Sequence, residues 1–592
     1  MKCSNIDQID YSCRYDPSLK DIQKSISVIG IDTETLVTGE CFLICTSLGN
    51  SFTLEEFPRF LFSRQYQNQN FVAYNLKFDE GSFLQIFNNR ELEELRKGRK
   101  VDYNGYIFSI IPGKCLTIRR KKNSIHIYDL YNFYTASLDY NAEKYLGENK
   151  LELETKSFST EYVEKNWERI VEYCIKDAVL VQKLGQLIIE RFESLGIFVT
   201  KLYSTAYVSY QYFRRKCKYP VVKNLWDHNK LVLEYALKSY SGGKFEVTQK
   251  GVGYYYEYDI ISAYPHEIAN LVDISNARVA YDNHYRKTAD YGFLNAIVTI
   301  PPKVFSPVAI MKKGVNIFPV GVFHKHITKN EYDYIIKYGG KVEIIDAVWL
   351  YCQTKEKPFQ YEIERLTKLK EQFGKEGKML DRHTVKILMN SLYGKMIQLI
   401  PQGDRFKASA CFNPIYAAVI TANVRIRISE LQQKFRSVIA VHTDSIISTE
   451  KLDFPEKGEL GDMTYEVEGN GVVIGAGIYQ IGKKKRFRCV KGSEDLLEIC
   501  QTREKKLPIT NRRPRSWKEV AFRNLPNDEI NRFFDDVKDI RCDFDTKRIW
   551  IRDAESYYDL LDRRIYSAPF AVFELPPKRV SKRTLPPPPV EQ

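Results

Sequence analysis

No run of apolar residues reaches the length of about 20 that a membrane-spanning helix needs, and the opening residues MKCSNIDQID lack the apolar centre of a secretory signal. A membrane partner is therefore not expected. No internal repeat is visible, which excludes solenoids and propellers. The 12 cysteines are scattered singly. Cys41 and Cys45 are the closest pair, and no second pair completes a metal-ligand spacing. That excludes a zinc site and fits reduced, mostly buried thiols in a cytosol-like compartment.

What is present points to a large, basic, globular chain. Its 592 residues exceed one core, so about three to five domains or subdomains are expected. Hydrophobic content of 44% and aromatic content of 13% fit folded domains rather than disorder. The net charge of +14 favours an acidic partner, of which nucleic acid is the commonest. The 40 tyrosines combine a stacking face with a polar tip, which suits bases and sugars, although compositional bias gives the same count.

Up to about residue 190 the pattern alternates strand and helix, as in an α/β domain. SISVIGIDTE reads as a strand ending in acids, FVAYNLKFDEGSFLQIF as strand, turn and helix, and WERIVEYCIKDAVLVQKLGQLIIERF as a long amphipathic helix. Asp32 and Glu34 are two apart on the strand and share a face. Asp79 stands where the next strand gives way to a helix. Tyr173 and Asp177, four apart, share a helix face. Four carboxylates converge only if cations neutralise them. Mg²⁺ or Mn²⁺ prefers oxygen ligands, and two such ions about 3.5–4 Å apart suit phosphodiester cleavage. Tyr173 would orient the attacking water. Each motif alone also reads as an ordinary strand end or helix face. The three together, in this order, point to catalysis.

A second constellation lies downstream. In DIISAYP, Asp259 ends a strand, and Ser262 and Tyr264 begin the turn away from it. In KILMNSLYGK, Lys386, Asn390 and Tyr393 share a helix face, with Arg382 one turn earlier and Lys370 on the preceding helix. Cation, amide and ring in a row suit a triphosphate and a base; a solvated basic face is the plain alternative. VIAVHTDSIIST reads as a β-hairpin with His442, Thr443, Asp444 and Ser445 at its tip.

These residues resemble the family B DNA polymerases, over roughly Ile31 to Trp550. The first three motifs resemble the family's proofreading exonuclease motifs, and YNLKFDEGSF is similar to the small protein-primed branch of phages and linear plasmids. DIISAYP, KILMNSLYGK and VHTDSI resemble polymerase motifs A, B and C in order, with histidine where many polymerases carry the first acid of motif C. The resemblance implies an α/β + α+β multidomain fold: an RNase H-like 3′–5′ exonuclease domain followed by a right-hand palm, fingers and thumb. It implies an exonuclease at 1–190, a connecting region at 191–250 and a palm with a region for a priming protein at 251–355. Fingers at 356–395, palm at 396–480, thumb at 481–575 and a Pro-rich, disordered tail at 576–592 complete the expected order.

The resemblance also implies roles. Asp259 and Asp444 would hold two Mg²⁺ ions, with Mn²⁺ as a substitute, and Asp32, Glu34, Asp79 and Asp177 two more. Lys386 would contact the incoming dNTP, and Tyr264 and Tyr393 would pack the nascent base pair. Thr35, Asn75, Phe78, Ser137 and Leu138 would hold the single-stranded 3′ end, with Lys150 assisting cleavage. Tyr240, Gly242 and Gly243 match the Tyr-x-Gly-Gly turn that touches template. Lys485 and Phe487 match the Lys-x-Tyr motif at the primer terminus, with Phe for Tyr. Lys547 and Arg548 would hold duplex phosphates. The expected partners are primer-template and single-stranded DNA, with a terminal protein as a candidate primer, and the expected state is a monomer. Only MIQLIPQGDRFKASACFN separates Lys395 from the next helix, so the branch's processivity hairpin is expected to be reduced or absent. Two other readings compete with an active polymerase: a nuclease whose polymerase half is silent, prompted by His442, and a non-catalytic single-strand binder that kept the fold.

Overall fold

The computed structural model describes residues 5–11 and 24–574, apart from 68, 135, 154–157, 456–457, 489, 491 and 544. The Pro-rich tail lies outside the described residues. Among the described residues every cysteine is free, and no helix is long and apolar enough to cross a membrane.

The first sheet has eight strands, with Val28–Thr35 and Asn70–Ala73 near its centre. Val28–Thr35 pairs antiparallel with Cys41–Thr46 and parallel with Asn70–Ala73, which in turn runs parallel to Asn123–Asp129. Apolar residues bury both faces of Val28–Thr35, as for a strand covered on two sides. The helix Thr160–Ser194 crosses this strand at Gly30, where an added Cβ would lie 1.7 Å from the carbonyl oxygen of Ala178. Only glycine permits that approach, and it brings Asp177 over Asp32. The helix runs past residue 190, the expected domain boundary, to Ser194.

The second sheet is antiparallel and built on Gln249–Ile260, flanked by Ser445–Ser448 and Met463–Gly475. Phe245–Val247 and Val438–His442 extend it on one side, and Ile478–Ile481 and Lys484–Phe487 on the other. Lys484–Phe487, expected in the thumb, is thus an edge strand of this sheet. A third sheet, Arg278–Asp282, Lys341–Tyr351, Tyr291–Ile300 and Val320–Thr328, is completed by the late strand Ala571–Glu574. The helices Gln360–Lys375 and Met379–Met396 pack against each other as a hairpin, and Met379–Met396 also packs on the buried helix Pro414–Lys434, which touches the second-sheet strand Val438–His442. The short segment after Lys395 folds as a small hairpin, Leu399–Gln402 with Arg405–Ala408, which pairs with Ile9–Asp10.

Two late strands, Lys506–Pro514 and Phe533–Arg541, form a separate ribbon. Between them lies the helix Trp517–Arg523. Trp517, Val520, Ala521 and Ile530 enter the core of the first sheet, so the C-terminal region is packed into the N-terminal one.

Candidate active sites

The strand end at Asp32 and Glu34, the helix Leu76–Phe83 and the helix Thr160–Ser194 meet at one point. Ligand atoms of Asp32, Glu34 and Cys174 lie within 4.8 Å of one another. Burial holds the Cys174 thiol well above its ordinary pKa, and its sulfur donates to the Asp32 carbonyl at 3.7 Å, so the carboxylates are the fitting ligands for a hard cation. Burial, then the charges of Asp177, Asp79 and Glu34, raise the Asp32 carboxyl well above its usual range. Burial and Asp177 push Glu34 up to about 8. Burial pushes Asp79 up to about 7, although Thr33 donates to it at 2.8 Å. The crowding is that of a site built for positive charge.

Lys150 joins this cluster. Its ammonium pairs with Asp177 and lies 4.9 Å from the centre of the Tyr173 ring. Burial works against its charge, but Asp177, Tyr173 and Asp32 hold its pKa above the ordinary value. The loops around the cluster are tied together. Asn75 is exposed in the left-handed region, with φ 62°, and starts the helix that carries Phe78 and Asp79. The Tyr74 hydroxyl donates to the Ala136 carbonyl at 2.5 Å, linking that turn to the Ser137 loop. Ser137 caps the helix Leu138–Leu146, accepting from the Tyr140 N–H at 3.3 Å, and Leu138 is buried. Thr35 stands half-buried at the end of the acid strand.

The second site is a cleft of about 530 Å³ lined by Asp259, Asp444, Lys386, His442, Glu257 and Glu466, among others. Asp259 pairs across the ladder with Ser445, and the Ile260 N–H donates to the Asp444 carbonyl at 2.9 Å. The two acids therefore stand side by side, Asp259 on its strand and Asp444 in the turn that opens Ser445–Ser448. Thr443 has φ 68°, which is strained for a β-branched residue and typical of a functional turn. The turn is held from behind. A Cβ on Gly243 would lie 2.7 Å from Thr443 Cγ2, and the Thr443 N–H donates to the Lys244 carbonyl at 2.7 Å. Tyr240 ends the helix Lys230–Ser239 just before this glycine turn, half-buried.

Arg382, Lys386 and Asn390 share the exposed face of the helix Met379–Met396. Lys370 donates to Ser262 Oγ at 3.2 Å, and burial beside Arg382 and Lys386 lowers its pKa. Tyr264 and Tyr393 stack with ring centres 4.3 Å apart and planes at 12°. Burial and the charges of Asp444, Glu466 and Glu257 push the Asp259 carboxyl up to about 7, and burial raises that of Asp444.

Two expectations are corrected, one for Lys485 and one for Lys547 and Arg548. Strand alternation puts Lys484, Arg486 and Arg488 on the cleft face, with Phe487 also at its lining, whereas Lys485 faces away. Lys485 donates to the Ser493 carbonyl at 3.2 Å and pairs with Asp495 at 3.5 Å, so the cleft-facing pair two apart is Lys484 and Arg486. Arg548 does not face duplex DNA: it is buried, donating to Glu246 at 2.6 Å and to Ser567 Oγ at 2.8 Å. Its neighbour Lys547 donates to the Phe245 carbonyl at 2.8 Å. Both cations brace the strand Phe245–Val247 instead. The imidazole of His442 is held neutral by its surroundings. Burial and the cations Arg488, Lys547, Lys484 and Arg486 pull its pKa down to about 3, so the ring is neutral.

Other residues of the sites gave no signal in the sequence. Asp129 ends the strand Asn123–Asp129, buried, with its carboxylate accepting from the Tyr131 N–H at 2.9 Å and its charge raising the Asp79 pKa. Glu466 is left unopposed by a β-bulge, since Glu257 pairs with Val467 and Tyr258 with Tyr465, and it lines the cleft beside Asp259. Arg425, fully buried, donates to the carbonyls of Ser241 at 2.5 Å and Gly242 at 3.0 Å and pairs with Glu331 at 2.7 Å. It fixes the glycine turn from beneath. Only a strand-pair signal would have exposed Glu466, and nothing local marks Arg425.

Comparison with known proteins agrees with this geometry. The family described as DNA polymerase type B, organellar and viral, matches residues 101–398. No curated protein matches the chain in sequence. Among solved structures, Phi29 DNA polymerase complexed with primer-template DNA is similar with a TM-score of 0.61 and 14% identity, covering 87% of this chain and 100% of that one. Its ternary complex with incoming nucleotide substrates gives 0.61 and 15% identity over the same shares. The same polymerase complexed with single-stranded DNA gives 0.52 and 15% identity, over 77% of this chain and 86% of that one. At such identities the likeness is one of fold: an exonuclease domain followed by palm, fingers and thumb.

Proposed function

Because this chain belongs to the type B DNA polymerases of organelles and viruses, we propose that it extends primed DNA templates at the Asp259–Asp444 cleft and proofreads 3′ ends at the Asp32 cluster. The carrying observation is the placement of Asp259, on its strand, beside Asp444, in the turn that opens the adjoining strand, with Lys386 facing the same cleft. Two acids and a cation on three separate elements suit a nucleoside triphosphate, its metal ions and an attacking hydroxyl.

The raised carboxyls in both clusters fit divalent cations, since burial and, at Asp32 and Asp259, the neighbouring carboxylates disfavour the charged form until positive charge relieves it. Asp259 and Asp444 would hold them in the cleft, and Asp32, Glu34, Asp79 and Asp177 in the first cluster. Bound Mg²⁺ supplies Lewis acidity, activating the attacking oxygen and stabilising the leaving one. The chain's own residues do the rest. Lys386, Lys370 and Arg382 neutralise and orient the triphosphate, and Tyr264 and Tyr393 frame the base pair, with Tyr264 against the 2′ position of the sugar. In the first cluster, Asn75, Phe78, Thr35, Ser137 and Leu138 position the single strand. Tyr173, kept a neutral phenol by burial and Asp177, orients the attacking water. Lys150 steadies Asp177 and offsets charge at the scissile phosphate.

The attacking group in synthesis is an alcohol oxygen, so a hydroxyl of a terminal protein enters the same chemistry as a DNA 3′ end. Labelled dNTP becoming covalently attached to a protein from the neighbouring gene would establish that route; nucleotide appearing on DNA primers alone would exclude it. For the function as a whole, primer extension with Mg²⁺ and dNTPs is the test, and failure on every primed template overturns it.

The reading with a silent polymerase half rests on His442. Its neutral ring packs against Tyr479 and accepts from the Gly477 N–H at 3.3 Å, so it places no positive charge beside Asp259 and Asp444. That observation favours the active reading.

A further inference from the structure

We propose that Phe533, more than 350 residues from the acid cluster in sequence, is a base-stacking wall of the exonuclease cleft that receives the nucleobases of a single-stranded 3′ end together with Phe78. The inference rests on the proofreading role proposed above and adds a residue to it.

Phe533 opens the strand Phe533–Arg541. It is 42% exposed, and its ring centre lies 6.4 Å from that of Phe78, the planes at 44°. Phe78 directly precedes Asp79, so this aromatic pair borders the acids. Its neighbour Phe534 points the other way, under the guanidinium groups of Arg513 and Arg515 at 4.4 and 4.3 Å. Those two arginines are ion-paired with Asp536, Glu519 and Glu529. Phe534 is thus absorbed into the ribbon, while Phe533 is left exposed beside Phe78. The Arg512 guanidinium lies 6.0 Å from the Phe533 ring, a cation at the distance that suits a strand's phosphates as well as its bases.

Phe533 is also fixed relative to the acids. Asn531, two residues earlier, is buried in the left-handed region with φ 61°. Its side-chain NH₂ donates to the Phe78 carbonyl and to Ser82 Oγ, both at 3.0 Å. Gly81 makes room for it, since a Cβ there would lie 2.4 Å from Asn531 Oδ1. Trp517 Nε1 donates to Glu80 at 2.7 Å, a second buried tie to the same helix. The helix carrying Phe78 and Asp79 is therefore gripped by the segment that presents Phe533. A ring needed only to hold the two regions together would be buried, as Trp517 is at 1% exposure. The occupant that fits is a nucleobase, because a strand whose scissile phosphate reaches Asp79 must run its last bases past Phe78.

The test uses the full chain and a single-stranded oligonucleotide with 2-aminopurine at its 3′ end. Loss of one aromatic stacking platform should raise the KM for trimming by Phe533→Ala about tenfold while kcat moves less than about twofold. The same variant should lose 2-aminopurine quenching and bind the oligonucleotide about tenfold more weakly in EDTA. Phe533→Trp should restore both. A Phe533→Ala enzyme with wild-type KM and quenching overturns the inference. So does a Phe533→Trp enzyme as impaired as Phe533→Ala, which would mark the ring as packing. If wild type binds the oligonucleotide but never trims it, the proofreading reading fails, and the quenching and affinity of Phe533→Ala still decide the role of this ring.

Discussion

The imidazole of His442 lies flat on the phenol of Tyr479, ring centres 4.9 Å apart and planes at 4°. Phe245 packs against the same imidazole at 4.7 Å. The Tyr479 hydroxyl donates to Glu257 at 2.8 Å, and Glu257 pairs with Lys484 at 2.9 Å. The histidine that replaces an acid is therefore one member of a packed layer beneath the cleft. His442→Ala should cost about 2–3 kcal/mol in urea unfolding, through the lost ring and the cavity it leaves. His442→Asp should remain active in primer extension, its carboxylate compensated by Arg486, Arg488 and Lys484. The ratio of Mn²⁺-supported to Mg²⁺-supported rate should be higher in wild type than in His442→Asp.

The contact between Gly243 and Thr443 gives a second expectation. Any Cβ at 243 meets the Thr443 methyl at 2.7 Å and must displace the strained turn that carries Asp444. Gly243→Ala should lower primer extension at least about tenfold, the effect of about 1.4 kcal/mol at the transition state. Trimming of single strands should be unchanged, because the first cluster lies on another sheet. Parallel kinetics of both activities on one preparation check this.

Much of both sites was legible in the sequence because their acids sit at element ends, where local pattern is strongest. Asp32 and Glu34 on one strand, Asp79 at a strand-to-helix turn and the tip of the Asp444 hairpin needed only residue type and period. The phase of the Lys484–Phe487 strand was not legible. A one-residue shift of an alternating basic run reads the same locally, and only its pairing with Ile478–Ile481 sets which lysine faces the cleft. Arg548 looked like a phosphate contact because nothing near it in sequence announces Glu246 as a buried partner. Phe533, Asn531 and Trp517 were invisible for a related reason: their partners Phe78, Ser82 and Glu80 are separated from them by most of the chain.

The crowded carboxylates predict how stability depends on pH and metal. In the metal-free protein Glu34 is pushed up to about 8, and Asp79 and Asp259 to about 7. Unfolded, they return to the ordinary carboxylate range near 4. Between about pH 4 and pH 8 the folded state thus holds more protons than the unfolded state, and stability falls as pH rises through that window. Thermal unfolding in EDTA should show a lower midpoint at about pH 8 than at about pH 5.5. Added Mg²⁺ should raise the midpoint more at the higher pH, where the sites are ionised. A Mg²⁺ shift equal at both values would contradict the assignment of these acids to metal.

The central claim is that one chain carries two separate two-metal sites. The direct measurement is primer extension and 3′ trimming side by side for wild type, Asp444→Ala and the double variant Asp32→Ala/Asp177→Ala. Asp444→Ala should lose synthesis by at least about a hundredfold, the several kcal/mol that metal-assisted charge stabilisation supplies, and keep trimming. The double variant should do the reverse. Loss of both activities in either variant, or synthesis that survives Asp444→Ala, would contradict the account.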